Sequence, residues 1–279
     1  MILEGKQVCE GIIRELKNEI RELKSKPALA IVSVGNDPAS EIYVKKKIQM
    51  AKEIGIESIH CKLGEKTTQK ELLELIKRLN ENKKINGFIV QLPLPKHINP
   101  KVIENIDPKK DVDGFHPLNI GKVFLGDVNE KTLVAATPLG IMKLIEHYKI
   151  EIEGKYAVVV GRSATVGRPI SALLLNKNAT VTICHSKTKN LGEITRMADI
   201  LIVAVGRSKL ITAEMVKKDA YVIDVGMNRD KNGKLTGDVD FENIIKKAHC
   251  TPVPGGIGPL TVSCLMYNVV NAAIMDKKD

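Results

Sequence analysis

The first ninety residues alternate between helical and strand-like hydrophobic patterns. Apolar side chains recur every three or four positions along residues 6–24, which predicts an amphipathic helix. The continuous apolar run at 28–35 predicts a short buried strand. A second helix is predicted over 40–53, and a second strand region ends at 60–64. Strands separated by helices in this way are typical of a parallel α/β sheet.

The next stretch is marked by specific residue patterns. Thr68 stands three positions before Glu71, a capping-box spacing that predicts a helix running to about residue 82. The apolar run at 87–95 predicts a buried strand that its prolines terminate. Residues 97–129 are polar and turn-rich, and an amphipathic helix is predicted over 138–148. We expect two domains to be joined here.

The second half repeats the alternation more regularly. Four buried strands with helical stretches between them are predicted at 156–161, 179–185, 200–206 and 220–226. This order is the pattern of a Rossmann-type sheet. A loop rich in proline and glycine follows at 251–259, and an apolar helix is predicted over 260–275.

The predicted fold class is therefore α/β, with two α/β domains and a cleft between them. The length of 279 residues suits two modest domains. The first is predicted over 1–136 and is completed by the C-terminal segment 259–279. The second, with the Rossmann-type parallel sheet, is predicted over 137–258.

Composition narrows the classes of ligand. The chain is 43% hydrophobic and 27% charged, which excludes fibrous and disordered classes. The formal net charge is +10, but aromatic residues make up only 3% and Trp is absent, whereas nucleic-acid binders interleave aromatics with basic residues. We therefore expect small anionic ligands, no nucleic acid and no membrane partner.

Two further features bear on the compartment. No apolar run approaches the ~20 residues of a membrane span, and the N-terminus has no apolar signal core, so a cytoplasmic location is expected. The five cysteines include no CxxC pair. We expect buried, reduced thiols and no metal site.

The sequence GRSATVGRP at 161–169 follows a predicted strand and enters a predicted helix. Glycines at such a turn let the backbone approach a pyrophosphate, and the helix N-terminus supplies unpaired N–H groups. The spacing is not GxGxxG, so a structural tight turn is the alternative. The next strand ends in Ser186 and not in the acidic residue that binds ribose hydroxyls in NAD sites. With Arg162 in the preceding turn, the sequence favours NADP over NAD.

Several polar residues are candidates for chemistry. Tyr43 and Lys47 stand four apart on a predicted helix and share a face, although an exposed lysine-rich surface is the alternative. Gln91 lies in an otherwise apolar strand, where its amide needs partners. The sequence DVDG at 111–114 has three interpretations. It could be a metal-binding motif, an Asx-turn, or a carboxylate that accepts hydrogen bonds from two N–H groups of a ligand. The loop VPGGIGP at 253–259 would let a ligand approach the backbone, and the alternative is that its prolines and glycines only form a structural loop.

Seven of these segments, in order, resemble one family. They are SEIYVKKK, GFIVQLPLP, DVDGFHPLNIGK, GRSATVGRPI, CHSKT, IDVGMNR and TPVPGGIGPLT. Together they resemble the bifunctional methylenetetrahydrofolate dehydrogenase/methenyltetrahydrofolate cyclohydrolase family over nearly the whole chain. The resemblance implies a folate-binding catalytic first domain, an NADP-binding second domain, a homodimer, and tetrahydrofolate derivatives as substrates, polyglutamylated forms included. It implies oxidation of 5,10-methylenetetrahydrofolate with NADP, then hydrolysis to 10-formyltetrahydrofolate, in one-carbon metabolism.

The resemblance also implies roles for individual residues. Lys47 would be the catalytic lysine, Gln91 its partner, Tyr43 a neighbour that packs on the substrate, and Asp113 the residue that holds the pterin edge. The remaining substrate-binding positions would be Val90, Leu92, Pro254, Gly255, Gly256, Ile257 and Gly258. The cofactor-binding positions would be Gly161, Arg162, Ser163, Gly167, Ser186 and Met227. Two departures are visible: Ala135 and Ala136 stand where many members have Pro and Cys, and Leu260 stands where Met is common after the glycine and proline loop.

Two other functions remain open from the sequence. One is a monofunctional NADP-dependent methylenetetrahydrofolate dehydrogenase, and the other is a non-catalytic dinucleotide-sensing module. A sensor would not need Lys47, Gln91 and Asp113 together. The hydrolytic step needs a group that first accepts a proton and then donates one. A neutral Lys47 could do both, whereas a permanently protonated Lys47 could only polarise water.

Overall fold

The computed structural model describes residues 1–129 and 132–276. These residues form two compact units. One unit combines Met1–Glu10 with Thr137–Thr261, and the other combines Gly11–Ala136 with the chain from Val262 onward. Residues 277–279 of the predicted C-terminal segment lie outside the described residues.

The unit that contains Gly11–Ala136 is built on a three-stranded parallel sheet with strand order β2-β1-β3. Its strands are β1 (Ala28–Val34), β2 (Glu57–Leu63) and β3 (Gly87–Val90). Its helices are α1 (Gly5–Glu22, of which the first six residues belong to the other unit), α2 (Pro38–Ile54), α3 (Gln69–Glu81) and α4 (Pro117–Leu125), with a 3-10 helix at Pro100–Asn105. The parallel α/β prediction for this half is confirmed.

Local sequence signals explain where these helices begin and end. The capping box at the start of α3 is confirmed: Glu71 N–H donates to Thr68 Oγ1 at 3.2 Å, and Thr68 N–H donates to the Glu71 carboxylate at 2.7 Å. Helix α2 begins after Asp37, whose carboxylate accepts from Ser40 N–H at 2.8 Å, and ends at Gly55 in the left-handed region, with φ 98°.

Two predictions for this unit were wrong in extent. The strand predicted over 87–95 stops at Val90, because the chain enters a turn with a cis peptide bond between Leu92 and Pro93. The stretch 97–129, predicted as turns, contains the 3-10 helix and α4. Helix α4 has its own start signal, since His116 Nδ1 accepts from Leu118 N–H at 3.1 Å and Pro117 is the first helical residue.

The other unit contains a five-stranded parallel sheet with strand order β10-β7-β6-β4-β5. The sheet strands are β4 (Tyr156–Val160), β5 (Thr180–Cys184), β6 (Ile200–Val203), β7 (Tyr221–Asp224) and β10 (His249–Cys250), and a separate hairpin pairs β8 (Asn228–Arg229) with β9 (Leu235–Thr236). The helices are α5 (Ala136–His147), α6 (Gly167–Leu175), α7 (Leu191–Thr195) and α8 (Phe241–Ile244), with a 3-10 helix at Ala213–Met215. Helix α9 (Ile257–Met275) begins in this unit and continues into the other. The Rossmann-type prediction is confirmed.

The four predicted strands of this sheet are present, with corrections. Strand β5 lies at an edge and is only partly buried, so the prediction of a fully buried strand was wrong. The predicted strands over 200–206 and 220–226 end at Val203 and Asp224, because the following residues turn into loops. A fifth, two-residue strand, β10, carried no sequence signal of its own.

Helix α9 begins three residues earlier than predicted, so Ile257 and Gly258 belong to its first turn and not to the preceding loop. With 19 residues it is long and apolar enough to cross a membrane, and 67% of its apolar window is buried inside the protein. A core helix passes the same test of length and composition.

All five cysteines are free thiols. Cys184 and Cys250 are buried, and burial raises the pKa of both, to about 12 for Cys250. The expectation of burial was wrong for Cys61, which is only partly buried. Its pKa is nevertheless raised by burial.

Candidate functional site

Helix α2 places a buried lysine at the end of the three-stranded sheet. The Lys47 side chain is buried, with the residue 8% exposed, and its Nζ donates a hydrogen bond to Gln91 Oε1 at 3.0 Å. A buried ammonium or amine requires a polar partner. The amide of Gln91 supplies one without adding a negative charge.

Gln91 is held from both sides. It follows directly after β3, and its backbone N–H donates to the Val32 carbonyl of β1 at 2.8 Å. Its Nε2 donates to the carbonyl of Leu92 at 2.7 Å, which leaves Oε1 facing Lys47. Val90 is buried as the last residue of β3, so it positions Gln91 from within the core. The predicted pairing of Lys47 with Gln91 therefore has a defined geometry.

The DVDG segment runs beside β3, and its two aspartates have different surroundings. Asp111 is buried and accepts hydrogen bonds from His116 N–H at 2.7 Å and from Asn119 Nδ2 at 3.0 Å. Asp111 therefore fixes the turn, as in the structural interpretation of this motif. Gly114 has φ 72°, and a Cβ there would overlap the backbone of Ala135.

Asp113 has different surroundings from Asp111. Its side chain is partly buried, and among the described residues no group donates a hydrogen bond to its carboxylate. Burial raises the pKa of Asp113, while the positive charge of Lys47 lowers it in part. The two side chains are thus close enough to interact electrostatically. Within the described ranges, no three His, Cys, Asp or Glu side chains come together as a metal site would require.

Tyr43 lies on α2 one turn before Lys47 and is partly buried. The spacing of four places both side chains on the same helix face, as predicted. One unit therefore brings together Lys47, Tyr43, Gln91 and Asp113, the four residues predicted to be catalytic.

A further residue that supports this site was not predicted. Asn268 of α9 is buried, and its Nδ2 donates to the carbonyls of Val112 and Val134, both at 2.8 Å. It therefore ties the backbone next to Asp113 to the C-terminal helix. The available signal was an asparagine within the apolar run at 265–270 of a mostly apolar helix.

We expect Asn268→Ala to destabilise the protein by roughly 2–3 kcal/mol, because two buried carbonyls lose their donor. If Asp113 holds the folate that the resemblance implies, the KM for that substrate should also rise, because Asn268 fixes the backbone next to Asp113. Chemical unfolding and steady-state kinetics would measure both effects. Asn271→Ala, on a partly exposed position of the same helix, is the control. Equal effects of the two substitutions would contradict this role.

The glycine-rich turn between β4 and α6 has the close backbone packing expected of a dinucleotide site. Gly161 has φ 131°, and a Cβ there would overlap the carbonyl oxygen of Ala204. A Cβ on Gly167 would overlap the carbonyl of Gly161. Ser163 Oγ accepts hydrogen bonds from the N–H groups of Val166 and Gly167, at 3.1 and 3.2 Å. The Ser163 hydroxyl oxygen therefore shapes the turn as a hydrogen-bond acceptor.

Arg162 and Ser186 follow neighbouring strands, β4 and β5, and both are exposed. The backbones are tied together there, since Gly161 N–H donates to the Cys184 carbonyl at 2.9 Å. Parallel strands end at one edge, so the two side chains lie at the same edge of the sheet. With no acidic residue at the end of β5, these residues fit a phosphorylated ribose.

Met227 and the proline and glycine loop are also placed by this unit. Met227 is 49% exposed, and a Cβ on Gly258 would lie 3.9 Å from its Sδ. Gly255 accepts a hydrogen bond from Gly5 N–H at 2.9 Å, and a Cβ on Gly5 would overlap Gly256. Gly255 itself has φ 106°, and a Cβ on Gly256 would overlap the carbonyl oxygen of Pro252, so both loop glycines also have a structural reason. Pro254 follows a cis peptide bond.

The fold and these two groups of residues define the class: an α/β protein with a dinucleotide-binding Rossmann-type sheet and a separate lysine-containing site. Within that class, the chain belongs to the tetrahydrofolate dehydrogenase/cyclohydrolase family. The family's catalytic-domain model matches residues 3–113, and its NAD(P)-binding-domain model matches residues 135–277.

Individual relatives agree with this placement. The bifunctional protein FolD of Bacillus cytotoxicus is 50% identical over 98% of this chain and 96% of its own. The crystal structure of the bifunctional FolD enzyme of Campylobacter jejuni is 48% identical, covers 99% of both chains and has a TM-score of 0.96. The Trypanosoma brucei methylenetetrahydrofolate dehydrogenase-cyclohydrolase, solved with NADP and an inhibitor, is 35% identical over 100% of this chain and 99% of its own, with a TM-score of 0.94.

Proposed function

We propose that this protein oxidises 5,10-methylenetetrahydrofolate to 5,10-methenyltetrahydrofolate with NADP and then hydrolyses the product to 10-formyltetrahydrofolate. The observation that carries the proposal is the 3.0 Å hydrogen bond from the buried Lys47 Nζ to Gln91 Oε1, with the Asp113 carboxyl close by. A dehydrogenase alone needs little acid or base catalysis. A buried amine held by a neutral amide fits the hydrolytic step.

The first step depends mainly on alignment. Bound NADP supplies the hydride acceptor, and the substrate's own nitrogen lone pair drives hydride from the bridging methylene carbon. Asp113 accepts N–H bonds from the pterin edge, and Tyr43 packs on the substrate. Both residues therefore act by positioning.

The second step requires proton transfer. Water loses a proton as it adds to the methenyl carbon, and the ring nitrogen gains one before the ring opens. In this proposal the Lys47 amine accepts the first proton and donates the second. Gln91 orients the amine through Oε1 and adds no charge of its own to the site.

The test is to follow the two reactions separately. Mixing the protein with methylenetetrahydrofolate and NADP should produce NADPH absorbance. Methenyltetrahydrofolate supplied without NADP should be hydrolysed faster than in buffer. NADPH production without enhanced hydrolysis would instead establish the monofunctional dehydrogenase, and neither reaction would establish the sensing module.

NADP preference depends on Arg162 and Ser186 in this proposal. Arg162→Ala should reduce the preference for NADP over NAD roughly tenfold or more, because a charge-assisted phosphate contact contributes ~1.5–3 kcal/mol. The ratio of kcat/KM for the two dinucleotides is the measurement. An equal loss with NAD and NADP would mean that Arg162 shapes the turn and does not contact the phosphate.

The proposal also covers the domain organisation, the oligomeric state, the range of substrates and the location of the protein. By function, residues 1–136, completed by 259–279, are the folate-binding catalytic domain and 137–258 are the NADP-binding domain, although Met1–Glu10 and the chain up to Thr261 pack in the unit of the second domain. The protein acts as a homodimer: β5 is an edge strand with exposed Leu175 and Ile183 nearby, which suits pairing with a second copy.

Polyglutamylated folates are included among the substrates. Five free thiols support a reducing, cytoplasmic location.

A further inference from the structure

Two aspartates are buried at one end of the five-stranded sheet, and neither was singled out by the sequence. Asp224 is the last residue of β7 and is 2% exposed, while Asp238 follows β9 and is fully buried. Among residues 1–129 and 132–276, neither carboxylate forms an ion pair. Buried carboxylates without a cationic partner need several hydrogen-bond donors.

Asp238 obtains its donors from two loops. Its Oδ2 accepts from Val205 N–H at 2.6 Å and from Gly206 N–H at 2.9 Å. Its Oδ1 accepts from Arg207 N–H at 2.7 Å and from Asn228 Nδ2 at 2.9 Å. Three successive backbone N–H groups thus surround one carboxylate, an arrangement that elsewhere binds free anions. Here the anion belongs to the protein.

Asp224 completes the network. Its Oδ1 accepts from Gly226 N–H at 2.8 Å and from Asp238 N–H at 2.9 Å, and its Oδ2 accepts from Val239 N–H at 3.1 Å. A Cβ on Gly226 would overlap the Asp238 carboxyl, and a Cβ on Gly237 would overlap the Asp224 carboxyl. Burial raises the pKa of Asp224 to about 6.

The network fixes the two loops that follow β6 and β7. These strands are neighbours and parallel, so both loops lie at the carboxyl edge of the sheet, where dinucleotides bind in this fold. Met227, a predicted cofactor contact, lies between Gly226, bonded to Asp224, and Asn228, bonded to Asp238. The residues proposed for the 2′-phosphate follow β4 and β5, which lie beyond β6 in the strand order, at the opposite end of the sheet from β10. The loops after β6 and β7 are therefore available to the nicotinamide end.

We propose that Asp238, supported by Asp224, is a positioning residue for the NADP site, which holds loops 205–207 and 226–228 in the shape that receives the nicotinamide end. This inference rests on the proposed cofactor site. A carboxylate is required because all four groups facing it are donors. An amide at this position would turn its own N–H groups toward two of them.

Asp238→Asn tests this role. The Kd of NADPH, measured by calorimetry without folate, should rise about tenfold or more, since donors that face a charged acceptor lose it. Hydrolysis of methenyltetrahydrofolate without NADP should stay near the wild-type rate. Asp240→Asn is the matched control, because that carboxylate accepts from Asn243 Nδ2 at 2.7 Å outside the two loops. It should leave NADPH affinity unchanged.

A control for stability separates positioning from general weakening. Ile244→Ala removes a buried side chain from the core of the same sheet and should lower the melting temperature without changing the Kd of NADPH. Equal weakening of NADPH binding by Ile244→Ala and Asp238→Asn at similar stability would overturn the inference, as would wild-type affinity in Asp238→Asn.

A milder variant covers the case in which Asp238→Asn fails to fold. Asn228→Ala removes one of the four donors and should raise the Kd of NADPH by a smaller factor, whereas unchanged affinity would overturn the inference. Failure of the proposed function would be distinguishable from failure of this inference, because the wild-type protein itself would then not bind NADPH.

Discussion

Lys47→Met should lower the rate of methenyltetrahydrofolate hydrolysis by ~10²-fold or more, the usual scale for losing a positioned acid or base. The substitution keeps much of the side chain's length and apolar bulk but removes the amine that donates to Gln91. Dehydrogenase activity should survive in part, because hydride transfer depends mainly on alignment. Steady-state rates of the two reactions, each measured with its own substrate, give the comparison.

Two variants complete this experiment. Lys46→Met alters an exposed neighbour on the same helix and should leave both rates near wild type. Lys47→Arg places a permanent positive charge at this position, because a guanidinium does not give up its proton at working pH. Hydrolysis should therefore also be lost in Lys47→Arg. A Lys47→Arg protein with nearly full hydrolysis would show that the residue acts by polarising water.

Asp113→Ala should raise the KM for the folate substrate roughly tenfold to a hundredfold in both reactions, because a carboxylate that accepts two N–H bonds is lost. The affinity for NADP should be nearly unchanged. Steady-state kinetics with each substrate varied in turn provides the test. Normal folate binding, together with loss of a divalent-metal dependence, would support the metal interpretation of DVDG instead.

The pH dependence of folate binding should also depend on Asp113. Because burial raises its pKa, the carboxyl takes up a proton at a higher pH than an ordinary aspartate. Only the ionised form accepts both N–H bonds. The value of kcat/KM for the folate substrate should therefore fall as the pH is lowered, beginning above the usual range near ~3.9. Asp113→Asn should have a lower kcat/KM and lack this pH dependence. If kcat/KM still fell at low pH in that variant, the pH dependence would belong to another group.

Regular elements could be predicted because their causes are local. The capping box of Thr68 and Glu71 specifies the start of α3, and the apolar runs of the central strands β1 and β6 reflect burial on both faces. Strand ends were less predictable. The chain leaves β6 at Val203 and then donates Val205 N–H to Asp238, a residue more than thirty positions away. No local pattern contains that interaction.

The candidate site shows the same division. Gln91 could be singled out because a polar residue interrupts an apolar run, and Lys47 because it shares a helix face with Tyr43. The different surroundings of Asp111 and Asp113 could not be inferred from the DVDG motif. Asp111 binds its own turn through His116 N–H, and this bond exists only in the folded segment. Asn268 supports the motif from a helix more than 150 residues away.

The central claim is that Lys47 serves the hydrolytic step and not hydride transfer. Its most direct test is a single-turnover experiment that follows methenyltetrahydrofolate after methylenetetrahydrofolate and NADP are mixed with excess enzyme. In Lys47→Met the intermediate should form and then accumulate, because its decay is slowed by ~10²-fold or more relative to wild type. Loss of its formation with unchanged decay of added methenyltetrahydrofolate would contradict the assignment.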